Sequence, residues 1–210
     1  MQKLESSLKN MVLVLVGFAL VVGAVLAAVN NLTKGPIAQK AEQTLAAGIK
    51  NVMGNEDLQV AAPVNATETI DGKSVEFVIH SCTDKSGKAL GAAVESVTGG
   101  FGGDLKVLVG FDPEGKILGY TILQHSETPG LGAKAGAWFQ KDGKGSIIGK
   151  TPKDGDLHVS KDDKSGNAVD AITASTITSR AFLKAINQAY AVYSKKSVDG
   201  QSGATKVKKG

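Results

Sequence analysis

Cysteine is almost absent from this 210-residue chain, which contains only Cys82. A single cysteine cannot form an intramolecular disulfide, and it cannot alone supply the ligands of an iron–sulfur cluster or a structural zinc site. Its neighbours Ser81 and Thr83 give no sign of an activated thiol. We therefore expect a half-buried and chemically inert cysteine.

Aromatic residues and clustered charges are also scarce. Aromatics make up 5% of the chain against 26 glycines, which predicts few aromatic contacts and many tight turns. The net charge is +4, with much of the excess in the C-terminal lysines, so no basic face for nucleic acid is expected. His80, His125 and His158 lack metal-ligand spacing, and neither a nucleotide-binding glycine motif nor a serine-hydrolase motif occurs.

One long hydrophobic run stands out near the N-terminus. Residues 11–29 read MVLVLVGFALVVGAVLAAV, without any charged side chain. At about 1.5 Å per residue this run spans the roughly 30 Å hydrocarbon core of a bilayer. The apolar region of a cleaved signal peptide is shorter, although the small residues near its end leave cleavage open as an alternative. We predict an uncleaved transmembrane helix.

The short N-terminal segment favours a topology with its N-terminus in the cytoplasm. The predicted organisation is a cytoplasmic segment at residues 1–10, a transmembrane helix at 11–29, one extracytoplasmic domain at 30–196 and a flexible tail at 197–210.

Hydrophobic periodicity predicts a mixed α+β domain after the membrane segment. A polar exit at residues 30–36 leads into a helix at 37–52, and a mostly irregular stretch follows at 55–73. The turn DPEG at residues 112–115 joins two apolar runs, which predicts an antiparallel hairpin. The other predicted elements are strands at 75–79, 89–97 and 169–172 and a helix at 179–193.

The stretch DAITASTITSR, residues 170–180, combines small and hydroxyl side chains between a predicted strand and a helix. Taken alone it supports two interpretations. Thr178 or Ser179 could cap the following helix. Alternatively, the first N–H groups of that helix could face a phosphate.

This stretch resembles the flavin-attachment motif of the FMN-binding-domain family, Asp-x-x-Ser/Thr-Gly-Ala-Thr-x-Thr. Asp170, Thr173, Thr176 and Thr178 fall on the pattern, whereas Ala174 replaces glycine and Ser175 replaces alanine. The resemblance implies that Thr176 carries FMN through its phosphate, attached by a separate flavin transferase. Both replacements are small, so a bulky group could still approach.

A second segment points to the same family. Residues 125–132 read HSETPGLG, similar to a Glu-Thr-Pro-Gly-Leu-Gly stretch of the flavin domain, and Pro129–Gly130 predicts a tight turn. The resemblance implies that this stretch lines the flavin site, with Lys134 a candidate phosphate contact and His125 either a lining or a surface residue. The residues expected at the cofactor are Glu127, Thr128, Gly130, Leu131 and Gly132.

A glycine-rich turn and hairpin at residues 99–119 complete the resemblance. The order of segments is similar to the G subunits of Rnf-type ion-translocating electron-transport complexes, and to the C subunit of the sodium-translocating NADH:quinone reductase. It implies an electron-transfer subunit, rather than a stand-alone enzyme, in the bacterial cytoplasmic membrane. The expected partners are the other membrane and redox subunits of a ferredoxin- and NAD-linked complex.

Two alternatives remain open. Residues 199–205, DGQSGAT, match the attachment pattern better than the first site but lack a following helix, which makes Thr205 a rival attachment site. The chain could also be a non-redox membrane-anchored scaffold or binding module, or a flavin carrier of another extracytoplasmic electron-transfer system.

Overall fold

The computed structural model describes residues 8–70 and 72–201. The chain divides into two compact units, with the boundary between Thr44 and Leu45. The first unit is helical, and the second contains a sheet with helices. This arrangement confirms the predicted α+β class with one apolar N-terminal helix.

The first helix, α1, spans Leu8–Met53 without a break. It is long and apolar enough to cross a membrane, and the side chains of its hydrophobic run are exposed in the isolated chain. The helix continues through residues 30–36, the predicted polar exit, with Pro36 inside, so the helix predicted from residue 37 is part of α1. Proline removes only one helical hydrogen bond and crowds one carbonyl, so it does not have to end a helix.

A six-stranded antiparallel sheet forms the centre of the second unit. Its strands are β1 Gln59–Val60, β2 Val64–Ile70, β3 Lys73–Thr83, β4 Ala89–Gly99, β5 Asp104–Phe111 and β6 Ile117–Gln124. The strand order is β1-β3-β4-β5-β6, and β2 also pairs with β3, along a different part of that strand from β1. The hairpin of β5 and β6 turns at Asp112, whose carbonyl accepts from Gly115 N at 3.0 Å, as the DPEG signal predicts.

Both faces of this sheet are covered. Alternate residues such as Val94 and Val107 pack with Phe182 of the last helix in the larger core. Their neighbours Ala93 and Leu108 pack with the C-terminal end of α1 in a smaller core. The remaining elements are a short helix α2 Ala135–Trp138, a parallel pair β7 His158–Val159 and β8 Ala168–Val169, and the helix α3 Thr176–Gln201.

Glycine is required where α1 meets the sheet. Gly110 and Gly119 are opposite each other on β5 and β6, and a Cβ on either would lie 2.6 or 2.8 Å from the carbonyl oxygen of Val52. The glycine pair therefore lets the helix backbone approach the sheet backbone.

Several other sequence predictions need correction. The stretch at residues 55–73 contains β1 and β2 rather than loop alone, and the last short strand ends at Val169 rather than at residue 172. Cys82 is fully buried, with 1% of its surface exposed, because it lies in the smaller core. The last helix starts three residues earlier than predicted, at Thr176.

Candidate functional site

One cavity of about 370 Å³ brings together three segments that are distant in the sequence. They are the glycine-rich turn after β4, the ETPGLG stretch and the start of α3. The lining residues are Phe101, Glu127, Thr128, Leu131, Gly132, Ala174, Ser175, Thr176, Ile177 and Thr178.

The ETPGLG stretch forms the tight turn that its sequence predicts. Leu131 N donates to the carbonyl of Thr128 at 3.1 Å, and Gly130 has a φ of 77°. A positive φ at the third position, after a proline, is the geometry of a type II turn. The turn places Thr128 and Leu131 at the cavity and leaves Gly130 outside its lining.

The start of α3 is formed by a second turn. Ser175 N donates to the carbonyl of Ile172 at 3.0 Å, and Ala174 has a φ of 60°. Ser179 N then donates to the carbonyl of Ser175 at 3.0 Å, so Ser175 occupies the N-cap position. The interpretation that Thr178 or Ser179 caps the helix is therefore wrong. The N–H groups of residues 176–178 precede the first intrahelical bond, as an anion site requires.

Glu127 connects the three segments. Its side chain is buried, and Oε1 accepts from Phe101 N at 2.7 Å and from Gly102 N at 3.4 Å. Its Oε2 accepts from the Thr178 hydroxyl at 2.7 Å. The carboxylate thus ties the glycine-rich turn to the first turn of α3 from a position inside the ETPGLG stretch.

This arrangement assigns different tasks to the two threonines of the attachment pattern. Thr178 is buried, with 1% of its surface exposed, and its hydroxyl is used by Glu127. Thr176 is half-buried, and the Lys161 Nζ atom lies 3.5 Å from its Oγ1. Thr176 is therefore the threonine whose hydroxyl is accessible at the cavity and has a cation beside it.

The loop that carries Lys161 is attached to α3 and to the threonine motif. Arg180 donates to Asp162 through Nε and Nη2, and this ion pair lowers the pKa of the Asp162 carboxyl. The Ser160 hydroxyl donates to Asp170 Oδ1 at 2.7 Å. Asp170 therefore positions the loop rather than lining the cavity.

The structure brings together most of the predicted site residues. Asp170, Thr173 and Gly130 do not line the cavity, and neither does Lys134. His125 is exposed, and its Nδ1 accepts from Glu127 N at 3.2 Å. Thr205 lies outside the described residues.

Sequence reasoning did not single out three residues at the site, namely Phe101, Ile177 and Lys161. An aromatic residue between two glycine pairs, as in GGFGG, could have marked Phe101. Lys161 gave no signal, because a loop contact brings it to Thr176.

The cavity suits a planar apolar group with an anionic tail, and its residues therefore fit FMN. The lining includes three large apolar side chains that are unusually exposed to solvent: Phe101 at 68%, Leu131 at 41% and Ile177 at 55%. Lys161 and the helix N-terminus would face a phosphate on Thr176. The cavity volume falls in the usual range for small-molecule sites, about 300–1,000 Å³.

A larger cavity of about 520 Å³ lies beside β7 and the middle of α3. Its lining residues include Asp156, His158, Arg180 and Asn187. Of the three segments that resemble the flavin domain, only the threonine motif contributes to this cavity, through Arg180. We therefore assign the candidate site to the smaller cavity, because it contains the accessible threonine.

Comparison with known families gives two matches along the chain. Residues 100–191 match the FMN-binding domain, and residues 1–52 match the RnfG N-terminal region. The first match includes every residue that lines the cavity.

Curated relatives match over most of their length. The chain is 33% identical over 189 residues to the G subunit of the Na⁺-translocating ferredoxin:NAD⁺ oxidoreductase complex of Acetobacterium woodii, covering 86% of this chain and 89% of that protein. It is 31% identical to the G subunit of the proton-translocating ferredoxin:NAD⁺ oxidoreductase complex of Clostridium ljungdahlii, covering 80% and 81%. It is 30% identical to the G subunit of the ion-translocating oxidoreductase complex of Aliivibrio fischeri, covering 90% and 91%.

Among solved structures, the fold is similar to that of NqrC from Shewanella oneidensis. The TM-score is 0.55 at 16% identity, and the match covers 78% of this chain and 98% of the other. At this identity the likeness concerns the fold alone.

Proposed function

The chain belongs to the family of G subunits of ion-translocating oxidoreductase complexes, which contain an FMN-binding domain, and from this premise we propose that it carries FMN covalently on Thr176. The observation that supports the attachment site is the position of the Thr176 hydroxyl. It lies at a cavity, at the start of α3, with Lys161 Nζ 3.5 Å away. A flavin transferase would form the phosphoester between Thr176 Oγ1 and FMN by breaking a phosphoanhydride bond of a flavin-nucleotide donor, as the resemblance of the motif implies. The other phosphate of the donor would be the leaving group, and the Thr176 hydroxyl would lose its proton to solvent.

Bound FMN supplies reversible electron transfer at its ring, while the chain fixes its position and surroundings. The N–H groups of the first turn of α3 and the Lys161 ammonium stabilise the negative phosphate. Phe101, Leu131 and Ile177 give the ring an apolar contact surface. Because these side chains are exposed, the surface leaves one side of the site open to a redox partner.

The family places the chain among electron-transfer subunits of ion-translocating complexes. We propose that it works in an Rnf-type complex linked to ferredoxin and NAD, since two relatives carry those substrates in their names. The chain would hold FMN at a point where electrons pass from one redox subunit to another. The other membrane and redox subunits of that complex would be its partners.

We further propose that residues 11–29 of α1 anchor the chain in the bacterial cytoplasmic membrane. Residues 1–10 would lie in the cytoplasm, and residues 30–196 would form the extracytoplasmic domain. The long exposed apolar run supports the anchor. Fusion of alkaline phosphatase after residue 196 tests the orientation: an active enzyme in intact cells supports it, and a fluorescent green fluorescent protein fused at the same position contradicts it.

The attachment site can be tested with threonine variants of the full chain co-expressed with a flavin transferase. The variants are Thr176→Val, Thr205→Val and, as a matched control, Thr173→Val, whose exposed side chain does not line the cavity. Flavin fluorescence in a denaturing gel reports the covalent bond, and mass spectrometry of the tryptic peptides locates it.

The expected result is loss of the signal in Thr176→Val alone. Loss in Thr205→Val alone would move the attachment site to the tail and leave the flavoprotein function intact. A wild-type chain that shows no covalent flavin, and no flavin couple in a redox titration, would support the non-redox module instead.

A further inference from the structure

Glu127 is a buried carboxylate without a cationic partner among the residues that the structure describes. Only 6% of its surface is exposed, and its three side-chain hydrogen bonds come from two backbone N–H groups and one hydroxyl. All three groups donate, which suits an ionised carboxylate because that group only accepts. The charge is therefore hydrogen-bonded but not neutralised.

Among the described residues, one other carboxylate is comparably buried, and it has basic partners. Glu95 is 5% exposed, and its two oxygens contact Lys106 Nζ at 2.6 Å and His80 Nε2 at 2.8 Å. Glu127 has no such partners within the described part of the chain, although it lines the candidate cavity, which Glu95 does not. The unpaired charge thus lies at the functional site.

Tight packing fixes the position of this charge. A Cβ on Gly100 would overlap Glu127 Oε1, and a Cβ on Gly132 would overlap its Oε2. The carboxylate is held between two glycines and by three hydrogen bonds, and only 6% of the residue is exposed. A fixed charge at a site of low polarity acts more strongly on a bound group than a mobile charge in water.

Joining the three segments of the cavity does not by itself require a charged side chain at position 127. A neutral amide of the same shape could accept from Phe101 N and Gly102 N, and Thr178 could reverse its hydroxyl to accept from the amide nitrogen. Burying a carboxylate costs more desolvation energy than burying that amide. We therefore infer that the charge of Glu127 has a role besides joining the three segments.

We propose that Glu127 is a positioning residue that also sets the reduction potential of the flavin. Its carboxylate joins the three segments of the cavity, and its fixed negative charge opposes the addition of electrons to the ring and so lowers the potential. This inference rests on the proposed function, because it requires FMN in this cavity. It applies to the flavin held by Thr176.

The test uses the full chain, flavinylated by co-expression and purified in detergent, and compares three variants by redox titration of the flavin absorbance. Glu127→Gln removes the charge and keeps the shape. Thr178→Val removes one hydrogen bond of Glu127 and keeps the charge. Glu114→Gln removes an exposed carboxylate that does not line the cavity.

We expect Glu127→Gln to raise the ratio of reduced to oxidised flavin about tenfold at a fixed applied potential, or about 30 mV for a two-electron couple. Glu114→Gln should change that ratio by less than about threefold, and Thr178→Val should change it less than Glu127→Gln does. If the role of Glu127 were purely structural, Thr178→Val would shift the reduction potential as much as Glu127→Gln, and that result would overturn the proposal. An unchanged potential in Glu127→Gln would overturn it as well.

A second comparison covers the case in which Glu127→Gln does not fold. Thr128 is exposed and lines the same cavity, so Thr128→Lys should raise the potential more than Thr128→Gln does. Equal potentials in these two variants would overturn the proposal. A wild-type chain without any flavin couple would refute the proposed function itself. A wild-type flavin couple whose potential is the same in the charge variants would refute this inference alone.

Discussion

Replacing Gly132 by alanine should break the connection between the ETPGLG stretch and α3. The added Cβ would overlap Glu127 Oε2 and lie 2.7 Å from Thr178 Oγ1, and these two oxygens share a 2.7 Å hydrogen bond. An ordinary contact needs about 1 Å more room, so both groups must move apart from the new methyl group. Neither can move freely, because both side chains are buried.

The size of the effect follows from three contributions. Losing a hydrogen bond to a charged group costs about 1.5–3 kcal/mol, and overpacking a buried site costs about 1–3 kcal/mol. Replacing a glycine restricts the unfolded chain, which stabilises the folded state by about 0.4–1 kcal/mol. We therefore expect Gly132→Ala to lower the free energy of unfolding by about 2–5 kcal/mol, which corresponds to a Tm lower by about 10 °C for a domain of this size.

Gly136 provides a matched control four residues away. It lies in α2, and a Cβ there would meet nothing within 4 Å. Gly136→Ala should therefore raise the free energy of unfolding by about 0.4–1 kcal/mol. Urea unfolding of both full-chain variants in detergent, checked for equal m-values, measures the difference. A Gly132→Ala protein within about 0.5 kcal/mol of wild type would refute the predicted clash.

Three further predictions concern other parts of the domain. Ala174→Gly should raise the free energy of unfolding by about 0.5–1 kcal/mol, measured by urea unfolding, because φ is 60° there. Burial raises the pKa of Glu95, but hydrogen bonds from its two basic partners leave it below the ordinary value. This lowered pKa stabilises the fold above about pH 4 and the contribution disappears as the pH falls further, so Glu95→Gln should flatten the acid limb of a stability–pH curve. Lys161→Gln should slow flavin attachment several-fold in a time course of gel fluorescence, whereas Lys161→Arg and the exposed Lys164→Gln should not.

Local signals in the sequence predicted the elements that depend on neighbouring residues. The turn at residues 112–115 specifies its hairpin because Asp112 Oδ1 accepts from Glu114 N and Lys116 N, so the aspartate folds the turn with its own side chain. The Pro129–Gly130 turn is specified in the same way, by one fixed φ and one positive φ.

The missed strands and the longer helix depended on partners that the sequence does not reveal. β2 pairs only with β3 among the strands that the structure describes, and its alternate residues are exposed or half-buried, so its apolar alternation is weak. The first turn of α3 has Ile177 among three small polar residues and no strong helical pattern. It forms because Ser175 N donates to the carbonyl of Ile172, the Ser179 hydroxyl accepts from Ile172 N, and Ser179 donates to the carbonyl of Ser175.

The site itself was predicted as separate segments, and the contacts that join them were not. Glu127 and Thr178 are 51 positions apart, and their hydrogen bond reveals which hydroxyl is structural and which one is accessible. A sequence pattern treats Thr176 and Thr178 alike, since both are threonines of one motif. Only the packing around α3 separates them, because the Thr178 hydroxyl is buried and bonded to a carboxylate whereas the Thr176 hydroxyl is accessible at the cavity.

The two departures from the attachment pattern have opposite energetic consequences. The usual glycine position has a φ of 60°, which an alanine adopts at a cost of about 1–2 kcal/mol, so the constraint at Ala174 is backbone conformation as much as size. At the next position serine replaces alanine as the N-cap residue, where serine is among the preferred residues. Both substitutions keep the turn that makes Thr176 the first residue of α3. The orientation of the Thr176 hydroxyl therefore depends on this turn, which the chain keeps with alanine and serine in place of the Gly-Ala pair.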